Sequence, residues 1–258
     1  MKKWILIPCG IGALVAGAAT ALLVSLNPII EAGVNKFGPE VTGTHVFLKE
    51  ADVSLFSGEG VLREFVLGNP KGYTAPHAAR VGSVSVALDK DTLTDDVIVI
   101  RKIAIDSPDI IYELGQKSNN FDDIIKNVEQ LGAAREKADA TKKEAASPGK
   151  DEGPARKVII DELVITNGKA AIRMPALKLD FQADLPEIRL KDIGRENGQS
   201  GVTMAQAAKR VLKSISSQLG DASKDALKNA RISLTIGSEG LGKAAKDLGN
   251  AVKSLFGK

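Results

Sequence analysis

Ile98–Glu113 reads IVIRKIAIDSPDIIYE, and Val158–Arg173 reads VIIDELVITNGKAAIR. Aligned sixty positions apart, each segment keeps an apolar side chain wherever the other has one, although only Ile100/Ile160 and Ile105/Ile165 are the same residue. Both also break at one point, at Pro108 in the first and Gly168 in the second. Period-two alternation on each side of such a break predicts a half-buried hairpin. One hairpin alone is barely stable in water, so its recurrence predicts a sheet extended by repetition.

Strand patterns continue outward from this pair. Val41–Phe56 and Gly60–Gly68 alternate on either side of Ser57-Gly58-Glu59-Gly60, a turn signal. Val81–Leu88 places Val84, Val86 and Leu88 on one face, and Val97–Asp106 places Val97, Val99, Ile103 and Ile105 on one face with Ile98, Ile100 and Ala104 on the other. Leu177, Leu179, Phe181 and Leu185 alternate before Pro186, and Ile188–Ile193 reads as a last strand. Between the two copies, Phe121, Ile124, Ile125, Val128 and Leu131 follow helical spacing over Asn119–Leu131. Ser118 or Asn119 is available there as N-cap, with Asp122 and Asp123 in the first turn. Gly132–Lys157 is rich in Ala, Lys and Glu and reads as a solvated linker, helical at most at its start. From Gly201 a helix carries the stripe Ala208, Val211, Leu212, Ile215 and Leu219. A short strand-like piece, Arg231–Ile236, then precedes a basic amphipathic helix bearing Leu241, Leu248, Val252, Leu255 and Phe256.

The N-terminus is of another kind. Lys2 and Lys3 precede Trp4–Leu26, WILIPCGIGALVAGAATALLVSL, without a charge. At about 1.5 Å per residue this run crosses the roughly 30 Å hydrocarbon core. Lysines before it predict an N-terminus inside and the bulk of the chain translocated. Trp4, Leu14, Val15, Leu22, Leu23 and Leu26 are its candidate anchor residues, Trp4 at headgroup level. Small residues at Ala16–Ala18 and Ala19–Ala21 offer a cleaved signal peptide as the rival reading. The apolar run continues past both, which favours an uncleaved signal anchor.

Aromatics are 4 % of the chain, too sparse for the stacking surfaces that nucleic-acid binding uses. Net charge is +3, but ten Lys/Arg against four acids make residues 201–258 +6 and leave the rest −3. That tail suits an anionic bilayer, a protein partner or this protein's own sheet. The lone Cys9 rules out an intrachain disulfide. His45 and His77 lack metal-ligand spacing, and Asp95/Asp96 and Asp122/Asp123 are explained by a turn and a helix start. Gly237–Ala244 resembles a phosphate loop but carries Ala244 where magnesium needs a hydroxyl. No catalytic residue, metal or cofactor is therefore expected, and the chain reads as a non-enzyme.

The anchor Trp4–Leu26, followed by Val41–Tyr73, Val81–Leu93, Val97–Glu113, Ser118–Val128 and Val158–Met174, resembles a short member of the AsmA-like proteins, relatives of the repeating β-groove lipid-transfer group. The likeness covers residues 1–195 and rests on strand and turn pattern. It implies an α+β, mainly β protein, with an N-terminal transmembrane helix and a curved antiparallel sheet or groove with one packed helix; the C-terminal amphipathic helices are read from the residues and have no counterpart in the family. It also implies a bacterial inner-membrane location with the soluble part in the periplasm, and a groove that carries phospholipid acyl chains in envelope biogenesis. Residues for the lipid face are Val84, Val86, Leu88, Val99, Ile103, Ile105, Ile159, Leu163 and Ile165. The expected divisions are an anchor (1–30), a first β unit with its helix (38–131), a linker (132–157), a second β unit (158–195) and a helical tail (201–258). About ten strands at roughly 4.8 Å would extend the groove some 50 Å. The competing reading is a scaffold that docks an envelope protein through its sheet edge or its C-terminal helices.

Overall fold

The computed structural model describes residues 27–145, 157–177, 179–195, 198 and 200–237. The fold is mixed α/β, built on one curved open sheet with three helices. The order is α1 (27–42), β1 (Val46–Val53), β2 (Glu59–Leu67), β3 (Ala79–Leu88), β4 (Val97–Asp106), β5 (Asp109–Glu113), α2 (Asn120–Ala145), β6 (Lys157–Thr166), β7 (Lys169–Met174), β8 (Leu179–Asp184), β9 (Ile188–Ile193) and α3 (Met204–Gly237).

The repeated segments are not hairpins. β4 and β5 run end to end along β3 in one register, Val84↔Ile105 and Ala79↔Ile110. β6 and β7 run beside them in parallel, and each residue faces the one sixty positions on: Ile98↔Val158, Ile105↔Ile165, Ile110↔Ala170. The sequence repeat is thus the register of a parallel pairing, and the two expected β units share one sheet. β9 and β8 likewise form one interrupted rung, Ile165↔Ile188 and Lys169↔Asp184. Nine strands therefore make six rungs, β1, β2, β3, β4/β5, β6/β7 and β9/β8, all antiparallel except the one step that α2 crosses over. Five steps of about 4.8 Å give a width near 24 Å, half the expected reach.

A left-handed residue within the strand, not a chain reversal, makes each break. Ser107 (φ 52°) and Asn167 (φ 54°) are left-handed, and Glu64 (φ 53°) occupies the same row on β2. The ladder continues across the gap: the Ser107 amide donates to Thr166 O at 2.9 Å and the Lys169 amide to Pro108 O at 3.0 Å. Such a residue resets the inside–outside alternation of its strand, and because neighbouring rungs reset in the same row the ladder keeps its register. On β1, Val46 and Leu48 are buried before the row and Ala51 and Val53 after it. Gly168 sits where a Cβ would come within 2.9 Å of Leu185 and 3.1 Å of Pro108. A second crease passes Arg101, Asp161 and Asp192, the last with φ 54°. Beyond it Val158, Ile160 and Ile193 join Leu163, Ile165 and Ile188 in the core.

Other expectations need correction. Residues 27–42, divided above between the anchor and the start of the first β unit, are helical. One side of α1 holds Asn27, Glu31 and Asn35 against the free edge of β1, where their oxygens accept from the amides of Val53 (3.0 Å), Ala51 (2.8 Å) and Leu48 (2.7 Å). Four helical residues rise about 6 Å, close to the ~6.6 Å of the two strand residues from Val53 to Ala51, and the next step, to Leu48, crosses the break at Lys49; the side chains thus stand in for a neighbouring strand. That helix face is polar, which hid it from an apolar-stripe search. α2 runs on to Ala145 through most of what read as linker. α3 continues through Arg231–Ile236, where the β-branched residues suggested a strand; local propensity is weak against a helix already nucleated upstream.

Within the described residues most of both helical stripes is reproduced, although Leu131 is exposed and Ala207 rather than Ala208 joins the core. The Asn119 carboxamide caps α2 by accepting from the Asp122 amide at 2.8 Å. Phe121, Ile124 and Val128 are buried in the core, as are Leu212, Ile215 and Leu219 of α3. Ser216 donates to Asp122 at 2.7 Å and Lys209 pairs with Glu129 at 2.7 Å, which ties the two helices together. Among the described residues no helix is long and apolar enough to cross a membrane. The anchor residues Trp4–Leu26 and the tail residues Leu241, Leu248, Val252, Leu255 and Phe256 lie outside them.

Candidate functional site

Cross-strand pairing fixes which side chains share the candidate face. One row runs Val53↔Gly60↔Val86↔Ile103↔Leu163↔Leu190, and the next runs Ala51↔Leu62↔Val84↔Ile105↔Ile165↔Ile188. Leu88 joins through Ile100. Of the residues expected on this face, Val84, Val86, Leu88, Ile103, Ile105, Leu163 and Ile165 are together. Val99 and Ile159 pair with each other but stand on the opposite side, outside the core cluster, because the crease at Arg101 and Asp161 shifts the phase. Leu62, Ile98, Ile100, Leu190 and Gly60 belong to the face and were missed. For Leu62 the two-residue alternation was available; for Ile98 and Ile100 no signal was.

The opposite face is polar. Arg63 pairs with Glu50 at 2.8 Å, and Arg189 bridges Glu187 at 2.8 Å and Glu162, which also lies 3.7 Å from Lys102. Hydrogen bonding from Arg189 holds the Glu162 carboxyl below its ordinary value. One side of the sheet is thus apolar from edge to edge, while the other carries these ion pairs beside Val99, Ile159 and Val164.

Helices cover the apolar side unevenly. α2 packs on β5, and α3 on β6, β7 and β9. Leu163, Ile165 and Ile188 beneath them are at most 3 % exposed. Over β2, β3 and β4, Leu62, Val86, Leu88, Ile100, Ile103 and Ile105 are only half-buried. Between α3 and β9 there is a separate cleft of about 500 Å³ whose floor includes Leu190 and Ile193 and whose rim carries Lys191 and Lys213.

The buried polar groups at the other end of the strands are committed to structure. Glu113, 2 % exposed, accepts from the Thr74 amide (2.8 Å), the Thr74 hydroxyl (3.0 Å) and the Ala75 amide (2.6 Å). Asn120, fully buried, bonds Asn69, the Ile111 carbonyl and the Glu113 amide. His77 faces Asp109 at 3.0 Å, and His45 stacks on Phe47. Among the described residues no group of His, Cys, Asp and Glu is placed to hold a metal ion. No protein-family model, curated protein or solved structure matches this chain.

Proposed function

We propose that this is a membrane-anchored, AsmA-like protein that handles phospholipid acyl chains on the apolar side of its sheet, without covalent chemistry. The residues Trp4–Leu26 tether it to a bacterial inner membrane, and the sheet stands in the periplasm. The observation that carries the reading is the half-buried stretch Leu62, Val86, Leu88, Ile103 and Ile105, which continues a covered core onto strands with no helix packed over them in the same way. Burying such surface under an acyl chain is favourable by about 25 cal/mol per Å². A width near 24 Å exceeds one leaflet's share, ~15 Å, of the hydrocarbon core, so one chain fits across the rungs. A sheet of this width does not bridge two membranes, so the role is loading or presenting lipid.

The test is lipid extraction from purified residues 27–258, read by mass spectrometry, with uptake of a fluorescent acyl probe. Bound phospholipid, reduced in Ile103→Glu, supports the reading. Neither bound lipid nor probe uptake removes it.

A second reading is a scaffold. The β1 edge is closed by α1, whereas β8 pairs only with β7 among the described residues and leaves an edge to which a partner strand can add. A photoreactive side chain at Gln182 that captures one envelope protein, with no lipid bound elsewhere, favours this alternative.

A further inference from the structure

We propose that the tip of the β1–β2 hairpin dips into the headgroup layer of the bilayer, through Phe56, and so fixes how the sheet stands on the membrane. This rests on the reading that Trp4–Leu26 spans the bilayer, and it adds a contact which that reading does not require. Phe56 is 92 % exposed, the most exposed of the large apolar side chains described. Its presentation is built: the Ser54 amide donates to Glu59 O and the Gly58 amide to Ser54 O, both at 2.9 Å, and the Ser57 amide donates to the Ser54 hydroxyl at 3.2 Å. Gly58 (φ 75°) has no room for a Cβ, which would stand 2.6 Å from Leu88 O, so the turn is locked onto β3.

The same end of the sheet receives the start of α1. Asn27, the residue after the apolar run, accepts from the Val53 amide at 3.0 Å, three residues before Phe56. Three extended residues span at most about 11 Å. A bilayer that ends at residue 26 therefore has its interfacial layer, roughly 5–8 Å thick on each side, within reach of the tip. Ile29, in the first turn of α1, is 63 % exposed at the same end. Lys90 beside the turn is paired with Asp91, and Asp95 and Asp96 are exposed in the β3–β4 connection that ends there. Charge at this end does not attract anionic lipid. The contact is apolar, and a zwitterionic bilayer serves.

The experiment places the full chain in phosphatidylcholine vesicles with the lone Trp4 changed to Phe. Phe56→Trp and, at the opposite end, Lys71→Trp then report separately, quenched by phosphatidylcholine brominated near the headgroup. Expected is a blue-shifted, quenched Trp at 56, unchanged when anionic lipid is added, and a water-exposed, unquenched Trp at 71. A chain that floats with the vesicles after alkaline extraction, yet shows Trp at 56 as wet as Trp at 71, overturns the hairpin contact and leaves the anchor standing. A chain that fails to float overturns both.

Discussion

Asp106 and Asn167 lie sixty-one positions apart in the chain and 2.7 Å apart in space, the Asn167 amide donating to the Asp106 carboxylate across the crease. Thr166 and Ser107 donate to the same carboxylate at 3.1 Å. These three donors hold the Asp106 carboxyl below its ordinary value, Asn167 contributing most. A carboxyl depressed by folding stabilises the native state above its unfolded pKa and loses that contribution as pH falls through the folded one. Asp106→Asn is expected to remove this component from the acid limb of a stability–pH curve. An acid limb identical to wild type contradicts it.

The crease itself is open to test at Asn167. Asn tolerates the left-handed region and Gly prefers it, whereas a β-branched side chain is strained there. Asn167→Val is expected to cost about 1–2 kcal/mol, and Asn167→Gly much less, in chemical unfolding. Equal losses would mean that the side-chain bond, not the backbone, is what matters at this position.

At the β1 edge, Asn35→Leu leaves the Leu48 amide and carbonyl without the partners they have at 2.7 and 2.9 Å. The expected loss is about 1–3 kcal/mol, with concentration-dependent self-association as the edge is uncovered. Light scattering across a dilution series reads the second effect; a monodisperse variant of wild-type stability refutes both.

The chain has two tyrosines, and both phenols are raised above their ordinary value. Burial is the first cause in each, followed by the hydrogen bond to Asp123 for Tyr73 (2.6 Å) and by the Asp122 charge for Tyr112. A phenol raised by folding stabilises the native state fully below its unfolded pKa, and that stability drains away as pH climbs towards the folded one. Tyrosinate absorbance should therefore stay absent near pH 10 in the native protein and appear together with unfolding. A reversible titration at the free-tyrosine value, with the fold intact, contradicts this.

Much of the arrangement was legible because both copies reset their apolar alternation at the same place, Ser107 and Asn167. The two copies were recognisable through every apolar position, and their spacing is the parallel register. The topology was not legible, because one left-handed residue followed by Pro108 or Gly168 leaves the same trace in a sequence as a turn. Val99 and Ile159 went to the wrong face for a related reason: Asp192 adopts φ 54° with no glycine to announce the second crease. α1 escaped notice because its strand-facing side is Asn27, Glu31 and Asn35 rather than an apolar stripe. Even so, Val84, Val86, Ile103, Ile105, Leu163 and Ile165 were correctly grouped, since no crease separates them, and Leu88 joins them because the irregularity beyond Ala87 falls at Arg101 on β4 and leaves the alternation of β3 intact.

The central claim is that β2, β3 and β4 receive an acyl chain. The most direct measurement is photo-crosslinking of the full chain in its native membrane with a phospholipid carrying a diazirine in its acyl tail, followed by peptide mapping. Adducts at Leu62, Val86 or Ile103, diminished by Ile103→Glu, are the predicted result. Adducts confined to Trp4–Leu26, with none on these strands, would contradict it.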